Sequence, residues 1–228
     1  TTGNCGEFLT LSLKIDGESG ELLQENLGFE AGVLTRPVVF DVDFENLNGL
    51  PGTWNSDISG SGEEWDVVSS RWDSPIQSAF APGRDSSGEA SLLSPVFELA
   101  SSGGSLSFSH LYRLEPGFGG AVLEVSRDGG EWVDLLIDPS VITIGGYNRS
   151  IREGFGSAIM GQQAWSGILE VFTPVSVKLP VEWAGEMLQF RWRVVHDASS
   201  ALGGWWIDNV KMEMLAEDCE PHRPEVTL

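Results

Sequence analysis

Short runs of alternating apolar and polar residues recur along the chain, and helical periodicity is nearly absent. Every second residue from Leu188 to Val194 is apolar, whereas Gln189, Arg191 and Arg193 between them are polar. The runs with this character are residues 8–15, 38–44, 105–112, 121–126, 131–137, 175–179, 187–195 and 205–214. A period of two places alternate side chains on opposite faces of a strand. The pattern therefore predicts an all-β sandwich whose strands have one packed face and one solvated face.

Glycine-rich connections and a change in composition predict how the chain is divided. The sequence has 28 glycines, and Arg127-Asp128-Gly129-Gly130 is typical of a hairpin turn. Residues 1–37 are too few for a core of their own. They are predicted to be either an extra β-hairpin on the main sandwich or the last strands of a preceding module. The main domain is predicted at 38–217, with a C-terminal tail at 218–228.

The charge balance excludes some partners. Thirteen basic residues against 34 acidic ones give a formal net charge of -21. Such a surface repels nucleic acid and anionic membranes, so neither is an expected partner. The sequence has no apolar run of about 18 residues, so no membrane span is predicted. It also lacks an initiator Met and a signal-peptide pattern, and we expect a piece of a longer, secreted protein.

The two cysteines lie near opposite ends of the chain, at Cys5 and Cys219. A disulfide between them would close a long loop, which adds roughly 5 kcal/mol in the chain-entropy model. The other interpretation is a pair of reduced, buried thiols. The sequence alone leaves both open, because it gives no distance between the two residues.

Two strand-like runs carry carboxylates where apolar packing is the usual choice. Asp208 follows two tryptophans and precedes an alternating apolar tail, and Asp41, Asp43 and Glu45 occupy alternate positions far upstream. If these runs are neighbours, their carboxylates can converge on Ca²⁺, which takes six to eight oxygen ligands. We therefore predict a structural calcium site at Asp43, Glu45 and Asp208. A solvated acidic surface is the alternative explanation for these acids.

Tryptophans are the second set of candidates for function. The chain has nine of them, and Trp54, Trp65 and Trp72 lie in a polar, loop-rich region without apolar alternation. We expect these three to be exposed and to bind a ligand such as a polysaccharide, because sugar rings stack on exposed indoles. The alternative is that such loop tryptophans cover an edge of the core.

The signatures of common enzymes are missing from the sequence. It contains neither a His-Glu-x-x-His motif nor a Gly-x-Ser-x-Gly motif, and it has three histidines. The only ladder of acids, Asp41, Asp43 and Glu45, has no aromatic or basic neighbours on its own face, which suits a cation better than a pair of catalytic carboxyl groups. We therefore predict a protein that is not an enzyme.

The order of several segments resembles MAM-like domains of bacterial secreted proteins, which are often appended to metallopeptidases of the fungalysin and immune-inhibitor types. The segments are Asp43-Phe44-Glu45, LLSPVF at 92–97, LSF at 106–108, LEVSRDGGEW at 123–132, GGY at 145–147, QQAWSG at 162–167 and GWWIDNV at 204–210. The resemblance covers most of residues 38–214. It implies a jelly-roll β-sandwich of two antiparallel sheets that is extracellular and usually non-catalytic.

The same resemblance implies further details. Related jelly-roll modules hold a structural calcium between the first and last strands, a role that falls here on Asp43, Glu45 and Asp208. The chain departs from the pattern at residues 114–120, where related domains often place an aspartate before the glycine pair. Residues 1–37 resemble the last strands of an immunoglobulin-like repeat.

Two functions remain open from the sequence. The first is a calcium-stabilised extracellular module that binds a polysaccharide or a protein surface and serves adhesion. The second is a structural accessory domain of a larger secreted protein, for example a metallopeptidase, whose partners are the neighbouring domains of the same chain. An exposed tryptophan beside a groove favours the first function.

Overall fold

The computed structural model describes the backbone of residues 8–17, 20–30, 33–100, 102–198, 202–215 and 218–220, and the side chains of 36–100, 102–198 and 202–215. The strands are β1 (Phe8–Gly17), β2 (Gly20–Glu30), β3 (Val33–Thr35), β4 (Val38–Val42), β5 (Asn55–Gly60), β6 (Asp66–Val68), β7 (Ser78–Pro82), β8 (Gly88–Leu93), β9 (Phe97–Glu98), β10 (Gly104–Arg113), β11 (Gly120–Arg127), β12 (Val133–Asp134), β13 (Ile142–Ile144), β14 (Arg149–Ser150), β15 (Gln163–Ala164), β16 (Ile168–Leu179), β17 (Met187–His196), β18 (Gly204–Met214) and β19 (Asp218–Glu220). A 3-10 helix, Val181–Trp183, lies between β16 and β17.

Residue contacts divide the chain into two compact units. One comprises Thr1–Pro37 and Ala216–Leu228, and the other is Val38–Leu215. In the first unit, β1 pairs with β2 as an antiparallel hairpin, and β3 pairs with β19. Part of the stretch predicted as a C-terminal tail is thus a strand.

The larger unit is built from two antiparallel sheets. The seven-stranded sheet has the order β13-β16-β10-β18-β7-β6, with β4 also paired to β18. The six-stranded sheet has the order β12-β11-β17-β8-β5, with β9 also paired to β17. Strands far apart in sequence are neighbours in both sheets, as in Greek-key connections. The predicted all-β jelly-roll sandwich with an N-terminal hairpin is confirmed.

Large aromatic side chains fill the space between the two sheets. Six aromatic residues of the core that are at most 2 % exposed are Phe44, Phe108, Trp165, Phe190, Trp192 and Trp205. Phe108 meets Trp165 and Trp192 edge to face, with ring centroids 5.9 and 5.7 Å apart. Such pairs add about 0.5–1.5 kcal/mol each beyond the burial of their area.

The segment between β13 and β16 is a surface loop that contains two short strands and buried side chains. Its short strands β14 and β15 pair, and Ile151 and Ile159 are buried on Val122 and Val195 in a separate small apolar cluster. Met160 of the same loop is 50 % exposed.

Candidate functional site

The three tryptophans proposed as ligand contacts lie in different surroundings. Trp72 is 43 % exposed, whereas Trp54 and Trp65 are 5 % and 3 % exposed. The expectation that Trp54 and Trp65 are exposed is therefore wrong. The Trp54 ring packs 5.4 Å from Phe40, and the Trp65 ring packs 5.5 Å from Trp205. Both indoles close the edge of the core, because burying their large apolar area outweighs the polar character of the loop around them.

Trp72 lines an open groove of about 410 Å³. The residues of this Trp72 groove are Ser70, Arg71, Trp72, Asp73, Leu111, Glu170, Val171 and Phe172. The walls of the groove therefore combine apolar and aromatic side chains with charged and hydroxyl groups. That mixture gives a ligand both a stacking surface and hydrogen-bond partners.

One wall of the groove is made by a bulge in β16. Between the pairs His110–Thr173 and Tyr112–Leu169, β10 advances by two residues and β16 by four. The two extra residues bend the strand, and the residues 170–172 at this bend line the groove.

The charged groups at the groove compensate one another. Glu170 lies 3.3 Å from the Arg71 guanidinium and 3.4 Å from Arg113. These side chains are between one third and one half exposed, so the pairs contribute little stability. Counted with Asp73, which also lines the groove, the two carboxylates balance the charges of the two arginines.

The loop that carries Trp72, residues 69–77, is fixed to the sheet beneath it. Trp206 of β18 donates from Nε1 to Ser70 Oγ at 3.2 Å, and its ring lies 5.3 Å from the Arg71 guanidinium. Ser78 Oγ donates to the Arg71 carbonyl at 2.7 Å. The backbone on the N-terminal side of Trp72 is therefore held by three contacts.

Asp208 holds the C-terminal side of the same loop. Its Oδ2 accepts hydrogen bonds from the backbone amides of Asp73 and Ser74 at 2.8 and 3.0 Å. Its Oδ1 accepts from the Asn209 amide at 2.8 Å, and Ser74 Oγ donates to Oδ1 at 3.3 Å. Burial raises the pKa of Asp208, and these hydrogen bonds partly oppose that change.

A bulge in β18 explains the position of Asp208. Ser107 and Ser109 of β10 face Lys211 and Asp208, so β18 has one extra residue in this interval. The bulge contains Asn209, which has a positive φ of 53°. Asp208 is fully buried although it lies outside the apolar cluster between the sheets, because the loop covers it.

The other two predicted calcium ligands serve the backbone in the same way. Glu45 Oε1 accepts from the Gln77 amide at 2.8 Å, and Asp43 Oδ1 accepts from the Glu45 amide at 3.0 Å. The prediction that these acids lie at alternate positions of one strand is wrong beyond Val42, because β4 ends there. Phe44 follows with a φ of 58°, a strained value for a bulky residue, and buries its ring in the core.

These contacts do not suit a calcium site at Asp208. Both of its oxygens face N–H or O–H donors, whose positive ends repel a cation. Among the described residues, no group of three or more His, Cys, Asp or Glu side chains is placed to hold a metal ion. Calcium binding through Asp43, Glu45 and Asp208 stays a prediction.

His110 is a strongly perturbed titratable group of the core. It is 2 % exposed, and its Nδ1 accepts a hydrogen bond from Trp205 Nε1 at 3.3 Å. The Trp165 ring lies 4.7 Å away, edge to face. Burial lowers the pKa of His110 from 6.5 to about 3, so the imidazole is neutral near pH 7 and serves packing.

The predicted disulfide lies outside the described side chains. Cys219 belongs to β19, of which the backbone alone is described, and Cys5 precedes the first described residue. The bond between them stays a prediction. In the described part of the chain, no helix has the length and apolar character that a membrane crossing requires.

Similarity to known proteins was found at the level of solved structures. No family model and no curated protein matches the sequence. The K1 cleaved adhesin domain of Lys-gingipain from Porphyromonas gingivalis aligns with a TM-score of 0.49 and 18 % identity, over 78 % of this chain and 98 % of that one.

Two carbohydrate-binding structures align at a similar level. TmCBM61 in complex with beta-1,4-galactotriose gives a TM-score of 0.44 and 13 % identity, over 71 % of this chain and 88 % of that one. The CBM22-1 xylan-binding domain from Paenibacillus barcinonensis gives a TM-score of 0.44 and 12 % identity, over 79 % of this chain and 96 % of that one. All three are β-sandwich domains that differ widely from this chain in sequence.

Proposed function

We propose that this domain is a non-catalytic, extracellular binding module that takes a polysaccharide chain in the Trp72 groove. The observation that carries the proposal is an indole that is 43 % exposed over a groove while its loop is hydrogen-bonded on both sides. In this proposal the domain anchors its parent protein to an extracellular polymer. The order of segments shared with MAM-like domains supports the same class of module.

A fixed indole is suited to sugar binding because stacking then costs little conformational entropy. Because the loop 69–77 is already anchored in the free protein, little conformational entropy of the loop is lost when a ligand binds. Phe172 and Val171 extend the apolar surface, and Asp73 and Ser70 offer hydrogen-bonding groups to sugar hydroxyls. A single site of this kind typically binds with about 4 to 8 kcal/mol, which corresponds to millimolar to micromolar affinity.

The charges favour a neutral polymer. Glu170 and Asp73 together balance Arg71 and Arg113, so these residues give the groove no net positive charge for a polyanion. The net charge of -21 also repels a polyanion at long range. Uncharged glycans avoid both costs.

The proposal is tested by affinity electrophoresis through gels that contain soluble xylan, galactan, mannan, β-glucan or polygalacturonate. We expect retardation by at least one neutral polymer, loss of that retardation in Trp72→Ala, and no release of reducing sugar. Trp132→Ala is the control, because Trp132 is partly exposed and stacks on Arg191 of the other sheet. Polymer turnover, or retardation that Trp72→Ala leaves intact, overturns the proposal.

A further inference from the structure

The side chains of Arg149 and Arg152 both lie next to Gly117, on a surface that shares no residue with the Trp72 groove. Arg152 donates its backbone amide to the Gly117 carbonyl at 2.8 Å. A β-carbon at Gly117 would lie 3.4 Å from Arg152 Nε and 3.7 Å from Arg149 Cδ. The φ of Gly117 is +81°, a conformation that residues with a β-carbon rarely adopt, so a larger residue is disfavoured there. The backbone thus leaves room for both arginine side chains to lie together.

Two phenylalanines complete this surface. Phe118 and Phe155 meet edge to face with centroids 4.8 Å apart, and the Arg152 guanidinium lies 4.8 Å from the Phe118 ring. Phe155 is 55 % exposed, and both arginines are exposed. We call Arg149, Arg152, Phe118 and Phe155 the Arg–Phe patch.

The charges of this patch are unusual for the molecule. Most described arginines are held in ion pairs with glutamates, namely Arg71, Arg84, Arg113, Arg127, Arg191 and Arg193. Arg149 and Arg152 form no ion pair with any described residue. Two adjacent guanidinium groups with no carboxylate partner among the described residues, on a protein of net charge -21, form a local site for carboxylates.

The backbone under the patch is held in place. Gly117 donates its amide to Ser166 Oγ at 2.8 Å, and Ser166 Oγ donates to the Gly119 carbonyl at 2.7 Å. Ile151, between the two arginines in sequence, is 1 % exposed and fixes the neighbouring loop. The patch is therefore presented by an ordered backbone, which lowers the entropic cost of binding.

We propose that the Arg–Phe patch is a docking site for a short acidic protein segment that carries an apolar or aromatic side chain beside its carboxylates. Guanidinium groups bind carboxylates through paired N–H donors, and arginine and aromatic residues dominate the energetics of protein interfaces. A short segment fits better than a long polyanion. At physiological ionic strength charges beyond about 8 Å are screened, so a short segment meets the two arginines alone, whereas a long polyanion extends over the acidic surface around them.

The test uses the whole chain and a fluorescein-labelled peptide, Ac-GDFDLEG-amide, with fluorescence anisotropy at 150 mM salt, about physiological ionic strength. The comparison peptide replaces each acid by its amide. Arg152→Ala and Arg149→Ala are measured against Lys178→Ala, which removes one exposed positive charge on β16 and matches the change in net charge. Circular dichroism of each variant verifies the fold.

We expect saturable binding of the acidic peptide and a loss of affinity of about tenfold or more in each arginine variant, the size expected for a lost charge-assisted hydrogen bond. Lys178→Ala should bind as the parent does. The proposal is overturned if the amide peptide binds equally well, or if Lys178→Ala weakens binding as much as Arg152→Ala. It is also overturned if polygalacturonate binds the patch more tightly than any acidic peptide tested.

Discussion

Asp208 Oδ2 accepts a hydrogen bond from the backbone amide of Asp73 at 2.8 Å and joins residues that are far apart in sequence. This contact connects the bulge in β18 to the loop that carries Trp72. The acid that stands out in the sequence is thus placed to position Trp72 through the backbone of its loop.

Replacing Asp208 should destabilise the sandwich. In Asp208→Asn the amide group supplies one oxygen in place of two and faces the N–H donors with its own N–H₂. We expect a loss of about 2–4 kcal/mol in the free energy of unfolding, because at least one charge-assisted hydrogen bond is lost and buried donors remain unpaired. Urea unfolding followed by tryptophan fluorescence measures this, since all nine tryptophans lie in Val38–Leu215.

The matched control is Asp43→Asn, which removes an exposed carboxylate that holds one amide. Its cost should stay below about 1 kcal/mol. Equal destabilisation by the two variants would contradict the role assigned to Asp208.

Chelation of divalent cations should leave the melting temperature unchanged. The reason is that the oxygens of Asp208 are occupied by N–H and O–H donors. Differential scanning calorimetry with 5 mM EDTA or 5 mM CaCl₂, about a hundredfold excess over a mid-micromolar dissociation constant, would reveal a shift equivalent to about 2.7 kcal/mol if calcium were bound. A calcium-dependent rise that Asp208→Ala abolishes would instead support calcium binding at Asp43, Glu45 and Asp208.

Acid should weaken the domain through His110. Its pKa is 6.5 in the unfolded chain and about 3 in the folded one, so the unfolded state takes up a proton that the folded state excludes. The stabilisation is complete above pH 6.5 and is lost as the pH falls toward about 3, on the order of 5 kcal/mol over the whole window.

The variant His110→Gln keeps a hydrogen-bond acceptor near Trp205 but does not titrate. We expect the free energy of unfolding, measured in urea at pH 7, 5 and 4, to depend less on pH in this variant than in the parent. Burial also lowers the pKa of His196, so part of the dependence should persist. Parallel pH profiles for parent and variant would refute the assignment to His110.

Strands were predictable from the sequence where a period of two is unbroken. The predicted run 187–195 is nearly β17, Met187–His196, because a strand packed on one face must alternate. β16 was predicted at 175–179 alone but begins at Ile168. Its bulge interrupts the alternation around Glu170, so the residues that line one wall of the groove could not be predicted from a period of two.

The three tryptophans predicted to bind a ligand differ in their contacts with the core, and local sequence composition does not show these contacts. Trp54, Trp65 and Trp72 lie in similarly polar sequence, but the first two reach core rings and the third does not. The partners of Asp208 were likewise hidden, because a bulge at Asn209 and a loop more than a hundred residues away create its surroundings.

Stacking of a sugar chain on Trp72 can be observed directly by ¹⁹F NMR of protein labelled with 5-fluorotryptophan. Trp72→Phe assigns the resonance of Trp72 among the nine tryptophans. If the sugar stacks on Trp72, titration with an oligosaccharide of the polymer that retards the protein should give a saturable shift of the Trp72 resonance. The resonances of Trp132 and of the buried Trp192 should not shift. A saturable shift at Trp132 with none at Trp72 would contradict stacking on Trp72.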